Sequence, residues 1–295
     1  MYGDRPLRLA TRGSAQARTQ AQAVADALMA AQPGRSVELV FVETLGDRTQ
    51  LAEVPLHTIG GQGVFVKEIQ SAVLRGDADI AAHSAKDLPS TVVEGLQLAA
   101  FCRRRDARDA LIGAALEELP FGGQVATGSV RRRAQLAVVR PDLHFLELRG
   151  NIHTRLGKIP AGGAIVMAAA ALDILGLSDK ITDYLPATTF VPSPGQGCVA
   201  VECRADDEAM IAVLAGIDHR PTRWAVQIER AFLAELGSGC SLPVGAHASG
   251  RTLTAFLAAA VGPRYLIETI ELPDDSDLGA VLSAGLARSM HHRLQ

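Results

Sequence analysis

The sequence predicts an α/β fold of two similar units followed by a small α+β domain, and three observations carry that prediction. Apolar β-rich runs alternate with helical patterns through most of the 295 residues, which is the signature of sheets built largely from parallel strands. The openings LATRGSAQAR and VATGSVRRRAQL both read strand, Ala-Thr, Gly-Ser and then helix, an internal echo that suggests two related domains. From Pro221 the pattern changes to one long helix, a Gly-rich turn and three strand-like runs.

In order, Leu7–Ala10 reads as a strand. Ser14 reads as the N-cap of a helix over Ala15–Ala31, which Pro33-Gly34 ends before a strand at Val37–Val42. The Gly-rich stretch from Thr44 to Gly63 is long for a loop in a compact domain, so it is read as a candidate lid. A helix over Val64–Arg75 then leads to a buried strand, Ala78–Ala82, whose end is the polar cluster HSAKDLPS. Strand ends are where open α/β sheets place ligands. The second unit begins near Arg103–Arg108. It continues with strand Gln124–Ala126, helix Val130–Val139, strands Leu143–Glu147 and Ala164–Met167, and helix Ala168–Leu175. The strand Cys198–Cys203 is expected to rejoin the first sheet. The expected domains are therefore 1–100 with 199–219, then 101–198, then 220–295.

Composition excludes several classes of function. With 48% hydrophobic and 21% charged residues and a net charge of −3, no global basic field points to nucleic acid. Aromatic residues make up 4%, too few for base-stacking platforms. The opening MYGDRPLRLA lacks the pattern of a secretory leader, and the longest apolar stretch, Ala164–Leu172, is far short of the ~20 residues of a membrane span; a cytoplasmic location is the expectation. Four cysteines without a C-x-x-C pair do not make a disulfide framework. Cys198 and Cys203 fall on opposite faces of an extended strand, which argues against joint metal ligation, and no metal is expected.

The anion signal is local. In ATGSVRRRAQL a strand delivers Gly128 and Ser129 to a helix N-terminus, with Arg131, Arg132 and Arg133 following at once. Free N–H groups, the helix dipole and guanidinium forks together suit a polyanion, although the same run also suits a solvated basic helix face. LRGNIHTRLGK puts Arg149 at a strand end, with Arg155 and Lys158 in the next turns. Arg12, in ATRGS, is read as its equivalent in the first unit. Amid these cations Asp87, beside Lys86, is the one candidate catalytic acid. A carboxylate flanked by cations stays ionised and can stabilise a developing positive charge or shuttle a proton; a surface Lys-Asp pair is the plainer alternative. His83 and Ser84 point to opposite sides of an extended chain, which disfavours a serine triad. Cys240, in LGSGCSLPVG, sits in a Gly-rich turn accessible to covalent attachment, whereas Cys102, Cys198 and Cys203 read as buried, inert thiols.

In order, ATRGS, GGQGVFVKE, DIAAHSAKDLPS, TGSVRRRAQL, LRGNIHTRL, PGQG and ERAFLAELGSGCSLPVGA resemble the motifs of porphobilinogen deaminases, from about Leu7 to Ala248. The resemblance implies two periplasmic-binding-protein-like α/β domains around a cleft, plus a small C-terminal α+β domain. It implies an enzyme that condenses four porphobilinogen units head to tail, a small-molecule transferase acting as a monomer, with no nucleic-acid or membrane partner. It further implies a dipyrromethane cofactor held by a thioether at Cys240, with Lys86, Ser129, Arg131, Arg132 and Arg155 around it. Arg12, Ser14, Arg149, Phe65 and Gln196 would bind substrate, and Asp87 would be catalytic. Departures from the family pattern are Gln62 in place of a lid lysine, Ala171 in place of a glycine, and Ser238 and Cys198 in place of Gly and Ala. Ile174 replaces an arginine associated with substrate carboxylates, a loss of roughly 1.5–3 kcal/mol of binding if nothing compensates. The rival from another class is a non-catalytic protein that uses the same cleft to bind an anion.

Overall fold

Most of the described helices begin on a side-chain cap. In the computed structural model, which describes residues 5–44, 66–237, 242–259 and 262–295, strand β1 (Leu7–Thr11) runs into α1 (Ala15–Ala31). Ser14 caps α1 by accepting from the Ala17 N–H at 3.3 Å. Its apolar face, Ala21, Val24, Ala25 and Leu28, recurs at helical spacing and is buried. Then follow β2 (Val37–Phe41), α2 (Lys67–Leu74), β3 (Ile80–Ser84) and β4 (Leu96–Phe101). The second unit comprises β5 (Asp109–Gly113), β6 (Gln124–Ala126), α3 (Val130–Val139), β7 (His144–Leu146), α4 (Ile152–Leu156), β8 (Ala164–Ala168), α5 (Ala169–Asp173) and β9 (Asp183–Leu185). The chain then returns through β10 (Val199–Arg204) and α6 (Glu208–Leu214). It ends in α7 (Arg220–Glu235), β11 (Val244–Ser249), β12 (Thr252–Ala258), β13 (Tyr265–Glu271) and α8 (Ser276–Leu294). The expected lid beyond Thr44, including Gln62 and Phe65, and the turn carrying Ser238 and Cys240 lie outside the described residues.

The two five-stranded sheets have the same wiring. Their orders are β2-β1-β3-β10-β4 and β7-β6-β8-β5-β9. In each, the first three strands are parallel, and the last two each pair antiparallel with the neighbour before them. The expectation of mainly parallel sheets holds: four of the five strands in each sheet run the same way, and the one that runs against them, β10 or β5, is the strand exchanged between units. β10 reaches the first sheet from the second unit and runs back alongside β3, pairing Val199 with Ser84 and Cys203 with Ile80. β5 enters the second sheet from the first unit in the same sense. The sequence echo is the matching β1–α1 and β6–α3 corners. Arg12 follows β1 whereas Arg149 follows β7, the counterpart of β2, so the two arginines are not equivalent as the sequence suggested.

Two crossing segments, 102–108 and 186–198, join the sheets and touch each other. Gly197 has φ +83°, and a Cβ there would lie 2.8 Å from the Arg105 carbonyl; Arg105 N–H donates to the Gly197 carbonyl at 2.9 Å. Gly195, at φ +74°, backs onto Ala85 and the Lys86 amide with 3.0–3.2 Å between a built Cβ and their atoms. Glycine is required at both positions. The faces of the sheets are covered on both sides, as buried strands such as the wholly buried AIVMA of β8 require. Cys198 and Ala200 pack on one side of β10, with Phe101 and Val226, and Val201 and Cys203 on the other.

The antiparallel sheet β11-β12-β13 buries Leu253, Ala255 and Leu257 against Ile228 and Phe232 of α7 and Ala287 and Met290 of α8. The fully buried Glu229 of α7 ties all parts together. Its carboxylate takes a bidentate bond from Arg104 on the first crossing segment at 2.6 and 3.0 Å. It also accepts from Gly195 N–H on the second segment at 2.7 Å and from Ala248 N–H of β11 at 2.8 Å. Among the described residues, no helix is long and apolar enough to cross a membrane.

Candidate functional site

Seven of the residues singled out from sequence meet in one cavity of about 220 Å³ between the two sheets: Arg12, Ser14, Lys86, Asp87, Arg132, Arg149 and Arg155. Arg12 and Ser14 come from the β1–α1 corner, and Lys86 and Asp87 from the helical turn after β3. Arg149 follows β7, Arg155 stands on α4, and Arg132 stands on α3. Gly150 has φ +116°, and a Cβ there would lie 2.7 Å from Thr154. Its carbonyl accepts from Arg155 Nε at 2.7 Å, which fixes that side chain.

The RRR run is distributed rather than presented as three open forks. Arg132 and Arg131 are buried and both reach Asp109, at 2.7 and 2.8 Å. Arg132 also donates to the Val166 carbonyl at 3.1 Å. Arg131 uses Nη1 on Asp109 and on the Val191 carbonyl at 2.7 Å, and it is not among the residues lining the cavity. Arg133 is half-buried, reaches solvent and pairs with Glu147. The reading of the run as a solvated basic face therefore holds only for Arg133. Ser129 caps α3 by accepting from Arg132 N–H at 3.4 Å. Gln196 is buried behind the cavity: its Nε2 donates to Asp109 at 2.9 Å and to the Ala107 carbonyl at 2.8 Å. Its Oε1 accepts from Lys86 Nζ at 3.4 Å and Arg132 Nη2 at 3.5 Å.

Sequence reasoning missed Asp109. It opens the buried strand β5 with no exposed surface, and a charge in a segment that must be buried was the available signal. Burial alone would raise its carboxyl; the Arg131 and Arg132 guanidiniums and the Gln196 amide hold it well below the usual carboxylate range. Asp109 is thus an ionised anchor for α3, and it is matched to its own arginines.

The cavity itself carries an excess of positive charge. Burial and then the repulsion of Arg132, opposed by Asp87 and Asp109, lower Lys86 to about 8. Burial, Arg132, Arg149 and Arg12 lower Arg155 to about 10, with Asp87 opposing. Asp87, exposed to the cavity, is the one carboxylate among the described lining residues, which also carry five Arg or Lys cations. Such a wall is built for a ligand with several carboxylates, which returns to the cations the counter-charge that water supplies otherwise. A dipyrromethane, two linked pyrroles each with an acetate and a propionate, fits that donor set. Phe65 and Cys240 lie outside the described residues. Of the other thiols, burial pushes Cys102 and Cys203 up to about 11 and Cys198 higher. Cys102 is only half-buried and lines a neighbouring cavity, unlike the expectation of a buried thiol. No cluster of three His, Cys, Asp or Glu side chains suited to a metal occurs among the described residues.

Known proteins resemble the chain over nearly its whole length. The family model "Porphobilinogen deaminase, dipyromethane cofactor binding domain" matches residues 7–212, and "Porphobilinogen deaminase, C-terminal domain" matches residues 224–283. The chain is 47% identical to a porphobilinogen deaminase of Acidothermus cellulolyticus, across 96% of this chain and 89% of the relative. It is 42% identical to one of Geobacter metallireducens, across 98% and 93%. Among solved structures, a TRAP periplasmic solute binding protein from Desulfovibrio salexigens aligns with a TM-score of 0.43 at 12% identity, over 75% of each chain.

Proposed function

The chain belongs to the porphobilinogen deaminase family, and from that premise we propose that its cleft joins four porphobilinogen units head to tail to give the linear tetrapyrrole hydroxymethylbilane. The observation that carries this reading is the cavity with one carboxylate among five cations. Each unit brings two carboxylates for the cations and one reacting nitrogen-bearing ring for the acid. In each condensation the bond between the aminomethyl carbon and its nitrogen breaks, and the nitrogen leaves with a proton as ammonia. The electron-poor carbon that remains is attacked by the free α-carbon of the preceding ring, which then loses its proton. Release of the product would break the bond that joins its first ring to the group on which the chain started, the methylene carbon taking hydroxide from water and the starting ring's α-carbon taking the proton. Positive charge develops on the pyrrole rings during both steps, beside the Asp87 carboxylate, which stabilises it and accepts or returns a proton.

Lys86, Arg132 and Arg155 would hold a dipyrromethane through its carboxylates, with Cys240 supplying the sulfur of a thioether; Ser129 and Arg131, expected among these ligands, stand behind that wall, where Ser129 caps α3 and Arg131 binds Asp109. Bound there, that group provides the free α-carbon from which the chain starts. Asp109 and Gln196 orient Arg132 and Lys86 from behind the cavity, and Arg12, Ser14, Arg149 and Phe65 receive the incoming unit.

Mixing the protein with porphobilinogen is expected to release one ammonia per unit consumed. KM is expected to rise above about pH 8 as Lys86, whose ordinary value is lowered to that range, loses its charge; Lys86→Met should remove that limb. Binding without ammonia release would replace the enzyme with an anion-binding protein.

A further inference from the structure

A second cavity, of about 550 Å³, opens off the candidate site and shares Gln16, Lys86, Ala168 and Ala171 with it. Its long walls are apolar: Ala23, Val24 and Ala27 of α1 face Ala171 and Ile174 at the end of α5. Besides Lys86, its lining carries two cations on the first crossing segment, Arg103 and Arg105. Arg103 is exposed and makes no side-chain hydrogen bond or ion pair among the described residues. Arg105 uses one nitrogen on Asp173 at 2.6 Å, which leaves most of its five-donor fork available. Asp218, in the same lining, is already matched to Arg223 at 2.7 Å and to the Phe101 N–H at 2.8 Å, so it does not cancel the arginines.

An apolar-walled space with cations on its lining suits a chain of aromatic rings whose edges bear carboxylates. The 220 Å³ cavity lies below the usual ~300–1,000 Å³ of sites for ligands of drug size, whereas the larger one lies within it. Resting on the proposed function, we infer that this second cavity receives the growing chain of substrate units, with Arg103 and Arg105 binding the carboxylates of the later ones. The geometry also accounts for Ile174. This chain lacks an arginine there, the isoleucine extends the apolar wall, and the crossing segment supplies the charge to the same cavity.

Wild type and the double variant Arg103→Ala, Arg105→Ala are mixed with limiting porphobilinogen, quenched and weighed intact. The ratio of protein carrying three or four added units to protein carrying one is expected to fall by about tenfold or more, the effect of losing a charge-assisted hydrogen bond. Arg103→Lys, Arg105→Lys should restore much of it. An unchanged ratio overturns the inference, including the case in which all additions slow alike, because general damage does that. Cys102 lines the same cavity and gives a readout independent of turnover. Its alkylation by iodoacetamide is expected to slow once two or more units are attached, and an unaltered rate counts against occupancy. A wild type that takes up no units at all would overturn the proposed function and this inference together, which separates that failure from a failure of the two arginines.

Discussion

Asp87→Asn is expected to leave a folded protein whose turnover is lower by roughly 10²–10⁴-fold, the usual size of a positioned acid–base contribution. Asp87 borders the cavity beside Lys86 and Arg155, and its charge acts on both of them. Asparagine preserves its size and removes only the charge and the titrating proton. The substitution strengthens the cationic field, so carboxylate binding should hold or tighten while the positive charge of the reacting pyrroles loses its partner. The split is the test: kcat measured by ammonia release should collapse while KM does not rise. Turnover within a few-fold of wild type would remove Asp87 from the chemistry.

Glu229→Ala is expected to cost about 3–5 kcal/mol of stability, because it leaves Arg104 without its partner in a buried setting. Against the ~5–15 kcal/mol typical of a native protein, that is a large share of the whole. The loss spreads beyond one ion pair, since the Gly195 and Ala248 N–H groups lose their acceptor too. Burial alone would raise the Glu229 carboxyl, but Arg104 and His247 hold it below the ordinary value. A carboxyl lowered in the folded state contributes stability above its unfolded pKa and loses it as pH falls through the folded one. Acid should therefore destabilise wild type more steeply than the Ala variant. The check is the urea midpoint of both proteins at neutral and acidic pH; equal midpoints would show that Glu229 does not link the crossing segments to the C-terminal sheet.

What could be read in the sequence followed from local chemistry. The Ser14 cap, the helix start at Ser129 and the return of the strand that became β10 all leave local marks, and each stands as read. Strands β4, β5 and β9 were not read. LQLAAF and DALIG lack two-fold alternation because most of their residues are buried, and β9 has only three residues. The exchange of β5 and β10, and with it the one reversed strand of each sheet, depends on contacts between segments far apart in sequence, as in the pairing of Ser84 in β3 with Val199 in β10. The site was legible as a set of cations and one acid. Its internal order was not, because Asp109 selects which arginines are anchored, and that selection exists only once β5 lies beside β8.

The account's central claim is that this cleft builds its product on a pyrrole group bound through Cys240, and the intact mass of denatured protein tests it most directly. Wild type purified alongside Cys240→Ser is expected to carry the added mass of two linked pyrrole units, and the variant none. An unmodified wild type, even after incubation with porphobilinogen, or the same added mass on the serine variant, would contradict it.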